Sequence, residues 1–320
     1  MTTVAYWAPV FNESELYFCI VLRNLWHWCV PVLVMISGVL FLNPERNITI
    51  PKIFSKYIFK MVLALVLLGI PAEIALQVTA ERYQFNLQQV KTSIINIAQG
   101  KTQTHLWFLY LIIGLYLITP LLRTFTRYTT RKEYGYFLVL LFIFTSVIAT
   151  VKKFLNIDSG INIPINSVYV LYFLLGFYFH HYNISISLKV SLMIVFCFII
   201  FTALGVFSNN NINPSMDYML KTSDKDSPII VITAIAVFFT IRTIGINFHY
   251  FDNLAPFCFG IFLVHPFFIY ALYLFLDWTP INYPLPLFLL VTILVTFGLS
   301  LLTSFCVKKI VQNFLPSRLY

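Results

Sequence analysis

Pro286–Val307 reads PLFLLVTILVTFGLSLLTSFCV, twenty-two residues without a single charge. A bilayer core takes roughly 20 predominantly apolar residues as a helix, so this stretch is long enough to cross one. It is too long for a barrel strand and shows no alternation of apolar and polar residues, so it reads as a helix. Working outward, eight more runs of the same character precede it, at about 17–42, 57–79, 104–122, 135–151, 165–181, 188–207, 228–247 and 254–276. The fold class expected is all-α: a polytopic transmembrane helix bundle of about nine spans, forming one membrane-embedded domain over residues 1–320.

Composition agrees. With 59% hydrophobic and 10% charged residues, the chain is far from the mix of a water-soluble domain. The 33 Phe and 19 Tyr suit ring packing between helices and at the lipid–water boundary. A net charge of +9 would fit nucleic acid, but the Lys and Arg residues fall at the ends of apolar runs, so no nucleic-acid partner is expected and the lipid bilayer is. Cys19, Cys29, Cys197, Cys258 and Cys306 have no CxxC spacing, which argues against a disulfide framework or a zinc site and makes them small buried hydrophobes. No cleavable signal peptide is expected, because Met1–Glu15 carries two acids and no Lys or Arg.

Basic residues set the orientation. Thirteen, including Arg46, Lys52, Arg123, Arg127, Arg131, Lys132, Lys308 and Lys309, collect on one set of connections and on the tail, against seven on the other set. The richer side is cytosolic by the positive-inside rule. That gives a multi-pass protein of a cell membrane with a cytosolic C-terminus, whose longest connections, 80–103 and 208–227, are extracytoplasmic. Nine spans then leave the N-terminus outside. Either the first helix inserts unaided, or the natural chain begins upstream of Met1, which is the preferred reading.

Ionisable groups inside a bilayer are functional candidates by default. Arg23 and His27, four apart and so on one helix face, read either as a grip for an anionic or carbonyl group or as an interfacial Arg beside a Trp-His-Trp belt. Glu73, two residues after Pro71, reads as a substrate contact or as a solvated end residue. His105 opens a span in Thr104-His105-Leu106-Trp107-Phe108-Leu109 and is either a general base or a wetted interface histidine. His265 in Leu263-Val264-His265-Pro266 lies midway along its span, where Pro266 frees a backbone carbonyl that a polar group must satisfy. It is a catalytic residue or the structural partner of that kink. No Walker motif, GxSxG elbow, HExxH or paired metal ligands occur, so no metal is expected.

Four stretches in order resemble the acyltransferase-3 family of integral membrane acyltransferases. They are Val30-Pro31-Val32-Leu33-Val34-Met35-Ile36-Ser37-Gly38; His105-Leu106-Trp107-Phe108-Leu109-Tyr110 with Tyr116 and Pro120; Tyr172-Phe173-Leu174-Leu175-Gly176; and Phe259-Gly260-Ile261-Phe262-Leu263-Val264-His265-Pro266. The family norm is ten spans, the first carrying an Arg and a His regarded as the catalytic base. That helix has no counterpart here, which matches the span missing from the topology. Some branches carry a Glu five residues after the span-opening Trp, where this chain has Ile112.

The resemblance implies a bacterial inner-membrane enzyme that O-acetylates a glycan or lipid-linked sugar of the cell envelope, using acetyl-CoA or another acyl-CoA as co-substrate. It implies catalytic roles for His105 and His265 and substrate contacts from Trp107 and Tyr116, beside Arg23, His27 and Glu73. Arg123, Arg127 and Arg131 are expected to attract the phosphates of coenzyme A, although membrane topology also explains them. A transporter or flippase is the alternative, and it predicts inverted repeats and broken helices at matching positions, which the sequence does not show. An inactive truncated acyltransferase is the other, since the principal base of the family is absent.

Overall fold

The computed structural model describes residues 11–74, 86–101, 105–156, 167–207, 221, 223–245 and 249–314. Every regular element among them is a helix. The main ones are α1 (Glu13–Leu25), α2 (Cys29–Leu42), α3 (Ile50–Ile74), α4 (Leu87–Ala98), α5 (Trp107–Tyr128), α6 (Arg131–Leu155), α7 (Val168–His181), α8 (Leu188–Phe207), α9 (Pro228–Ile244), α10 (Cys258–Leu276) and α11 (Leu285–Phe314), with a short helix His249–Leu254 and a 3-10 turn Ala255–Phe257 leading into α10. Among the described residues six helices are long and apolar enough to cross a membrane, counting α1 and α2 together, and α7, α8 and α9 are shorter apolar helices. The chain is a multi-pass membrane protein.

Capping explains several helix starts. Asn12 with Glu15, Asn86 with Gln89 and Thr130 with Glu133 each exchange side-chain and backbone bonds as capping boxes at the heads of α1, α4 and α6. Ser227 caps α9 ahead of Pro228, whose missing N–H is harmless in a first turn.

Two sequence readings change. The span read as continuous over 17–42 breaks at Trp26–Trp28 into α1 and α2. Pro31 lacks the N–H that would bond the His27 carbonyl, and Trp26 and His27 instead donate to the carbonyls three residues back. Within 80–103, read as a loop, Leu87–Ala98 forms a helix that buries Gln89, Ser93 and Ile97 on one face. The rest of that connection at 80–85 and 102–103, and 208–220 and 222 of the other, lie outside the described residues, as does Thr104.

The helices fall into two compact units. The first comprises residues 3–53 and 115–246. Its centre is α7, buried continuously from Val168 to Phe177, as expected of a helix that is apolar all round. α2 lies against it at backbone range: a Cβ on Gly38 would sit 1.8 Å from the Phe173 carbonyl oxygen, and one on Gly176 would sit 2.0 Å from that of Met35. α8 packs on α9, where Thr240 Oγ1 donates to Ser191 Oγ at 3.0 Å.

The second unit comprises residues 54–114 and 247–320. Ala64, Leu65, Ile97, Leu106, Leu109 and Leu263 form its core. α10 and α11 pair closely, and Trp278 Nε1 donates to Thr292 Oγ1 at 2.9 Å. Along α11 the hydroxyl residues Thr292, Thr296, Ser300 and Ser304 are buried while Leu290, Ile293, Leu294 and Phe297 are exposed. Small polar residues inward and large apolar ones outward is the arrangement that lipid favours. Cys197, Cys258 and Cys306 are exposed among such apolar neighbours, which corrects their reading as buried.

Candidate functional site

The second unit brings His105 and His265 together, with ring centroids 5.6 Å apart in an edge-on arrangement. Phe262 lies 5.9 Å from His105 and 6.2 Å from His265, and Phe108 stands 5.6 Å from Phe262, so an aromatic wall flanks the pair.

Each histidine is placed by its local sequence. Pro266 has no N–H, and as a result His265 Nδ1 donates to the carbonyl of Phe262 at 2.8 Å and approaches that of Ile261 at 3.2 Å. The kink reading is therefore met by geometry, and it has a chemical consequence. With its proton held at Nδ1, the ring keeps a lone pair on Nε2, the arrangement of a base oriented by a fixed acceptor. His105 sits in the turn that leads into α5, half-buried, and its Nε2 is enclosed with no hydrogen-bond partner. Most buried polar atoms are satisfied, so an orphaned imidazole nitrogen beside a second imidazole marks a place where a ligand group fits.

Glu73 belongs to the same unit and is 5% exposed, not solvated. Its Oε1 accepts from Asn96 Nδ2 at 2.9 Å. Trp107 is 40% exposed, with its ring 6.2 Å from Phe108.

Arg23, His27, Tyr116, Arg123, Arg127 and Arg131 belong to the first unit. His27 Nδ1 donates to the Ser223 carbonyl, and Arg23 Nη1 donates to Asn24 Oδ1 at 3.1 Å. Tyr116 is stacked on Phe41 at 4.3 Å. The three arginines have diverging roles. Arg123 donates to the carbonyls of Phe41, Asn43 and Arg46 at 2.7, 2.9 and 2.8 Å, pinning the end of α2. Arg131 stands 5.4 Å over the Tyr182 ring. Arg127 is exposed and, with Ile48, Thr49, Pro120 and Tyr128, lines a cavity of about 470 Å³.

Sequence reasoning missed the cluster in which Lys153 Nζ reaches Asp224 and Asp226, each at 2.6 Å. The signal was present: two acids flank Lys225 in a chain with only 12 acidic residues. Burial pushes the Asp224 carboxyl up, yet the hydrogen bond and charge of Lys153 outweigh it and hold the group below its ordinary value. A depressed folded value gives stability that is full above the unfolded carboxylate pKa of about 4 and is lost as pH falls through the folded value. Asp224→Asn is therefore expected to lower stability by about 1 kcal/mol at pH 7, discounted for partial exposure. Its melting temperature should converge on that of the wild type in acid, a comparison made by thermal unfolding across pH.

Among the described residues no group of three or more His, Cys, Asp or Glu could hold a metal. A family model described as an acyltransferase domain matches residues 1–305. No curated protein and no solved structure matches the chain.

Proposed function

The chain belongs to the acyltransferase-3 family, and on that premise we propose that it is a membrane O-acyltransferase moving an acyl group from acyl-CoA, acetyl-CoA first, to a hydroxyl of a cell-surface or lipid-linked sugar. The observation that carries this reading is the His105–His265 pair, one imidazole locked through Nδ1 so that its Nε2 keeps a lone pair and the other with an enclosed, unpartnered Nε2.

In the mechanism this supports, His265 Nε2 takes the proton of the acceptor hydroxyl as its oxygen attacks the thioester carbonyl. The carbonyls of Phe262 and Ile261 stabilise the imidazolium through Nδ1–H. His105, in the tautomer carrying its proton on Nε2, can donate to the oxyanion that develops on the carbonyl oxygen. Collapse expels the thiolate of coenzyme A, which takes the proton back from His265 and leaves the O-acyl ester. Transfer of labelled acetyl from acetyl-CoA to acceptor lipid in proteoliposomes, comparing the wild type with His265 and His105 variants, tests the proposal.

For the donor, the cavity lined by Arg127 and Tyr128 supplies a cation beside an aromatic ring, suited to a phosphate and a flat base. Arg127→Ala is expected to raise the KM for acetyl-CoA about tenfold with kcat little changed, the effect of one charge-assisted contact of about 1.5 kcal/mol. Arg123 has a different part, because its guanidinium already serves three backbone carbonyls.

A further inference from the structure

The two carboxylate oxygens of Glu73 have different surroundings. Oε1 accepts from Asn96 Nδ2 at 2.9 Å, whereas Oε2 is enclosed and has no partner. Ser93 lies three residues before Asn96 and so on the same side of α4; it is fully buried, and its Oγ has no partner either. Ser146 Oγ, Thr150 Oγ1 and Ser300 Oγ share that state among the described residues, while other helix hydroxyls bond back to their own helix. Ser37, Thr119, Thr145, Thr202 and Thr233 each return the hydroxyl to the carbonyl four residues back. An unmet buried polar atom costs about 1–3 kcal/mol, and more when charged. Both atoms would be satisfied by a ligand that brings hydroxyl groups, each a donor and an acceptor at once.

The cluster is tied to the histidine pair through α4. A Cβ on Gly69, one turn before Glu73, would lie 3.1 Å from the Ile97 side chain and 3.2 Å from that of Leu106. Tyr110 donates its hydroxyl to the Ile97 carbonyl at 2.7 Å. The end of α4 therefore holds Glu73 through Asn96 and the His105 turn through Ile97. On α10, Tyr270 lies within electrostatic reach of Glu73. It follows His265 by five residues, about 7.5 Å along the helix axis at 1.5 Å per residue. Asn96 is half-buried.

We propose that Glu73, Ser93 and Asn96 form a hydroxyl-recognition subsite that holds a non-reacting hydroxyl of a polyhydroxylated ring while another hydroxyl meets the His105–His265 pair. The subsite rests on the acyl-transfer reading above and adds to it the residues that choose a polyol over a simple alcohol. A site that bonds a hydroxyl rejects an analogue lacking it strongly, since its own polar groups are then left bare.

The test compares acetyl transfer from acetyl-CoA to hexyl β-glucoside and to 1-hexanol by protein in proteoliposomes. The wild type should prefer the glucoside by at least about tenfold in kcat/KM. Glu73→Gln, nearly isosteric, and Ser93→Ala should each bring that ratio towards one, mainly through the KM for the glucoside. A wild-type ratio at or below one, or a ratio that neither variant moves, overturns the subsite and leaves acyl transfer standing. Acetyl transfer to neither acceptor by the wild type overturns the acyl-transfer reading, and the subsite with it.

Discussion

His265→Asn is expected to lower acetyl transfer by about a thousandfold, the middle of the range for loss of a general base, while leaving the protein folded. The choice of Asn is deliberate. Its side-chain amide N–H can replace Nδ1–H as the donor to the Phe262 carbonyl, which His265 satisfies at 2.8 Å. It has no basic nitrogen in place of Nε2. His265→Ala removes both functions at once and leaves the Phe262 carbonyl bare in α10, at a further cost of about 1–3 kcal/mol. If the histidine were only the partner of the proline kink, His265→Asn would keep its activity and His265→Ala would lose stability. Activity and melting temperature measured on both variants separate the two roles.

Gly176→Val should prevent accumulation of folded protein. Val needs space where a Cβ would already lie 2.0 Å from the carbonyl oxygen of Met35, 2.5 Å from its carbonyl carbon and 2.7 Å from its Cα. Backbone cannot turn aside as a long side chain can, so α2 and α7 would have to part. Overpacking of this kind costs about 1–3 kcal/mol when neighbours can shift, and more when they cannot. Here the substituted position is on α7, the helix buried from Val168 to Phe177 at the centre of the first unit, and its partner is the α2 backbone at Met35. Gly114→Ala is the control, because nothing lies within 4 Å of a Cβ there. Yield and monodispersity of the purified variants measure the effect.

Helical class and the position of each apolar run were readable from hydropathy, because a run long enough to cross lipid has few alternatives. Pro266 was also legible as the source of a bare carbonyl. His265 was readable as one of two things, the partner of that carbonyl or a catalytic residue, and the choice of nitrogen was not, since an i to i−3 side-chain bond depends on rotamer. The approach of His105 to His265 could not be read either: one lies in the turn before α5 and the other on α10, far apart in sequence, and periodicity fixes which way a residue faces without naming what it faces. The family resemblance, not the spacing, singled them out together. Arg123 looked like one of several basic residues at a membrane boundary, and only its three carbonyl bonds set it apart. Ser93 and Asn96 went unnoticed because Leu87–Ala98 was read as loop, its modest apolar content hiding a capped amphipathic helix. The break at Trp26–Trp28 was signalled by Pro31, but the apolar run around it masked the signal.

The central claim is that His105 and His265 act as one unit in acyl transfer, and a double-mutant cycle tests it most directly. Single-turnover acetyl transfer would be measured for the wild type, His105→Ala, His265→Asn and the double variant. Residues that work together are strongly non-additive, so the double variant should be no slower than the worse single one. Losses that multiply across the cycle, or single variants as fast as the wild type, would contradict the account.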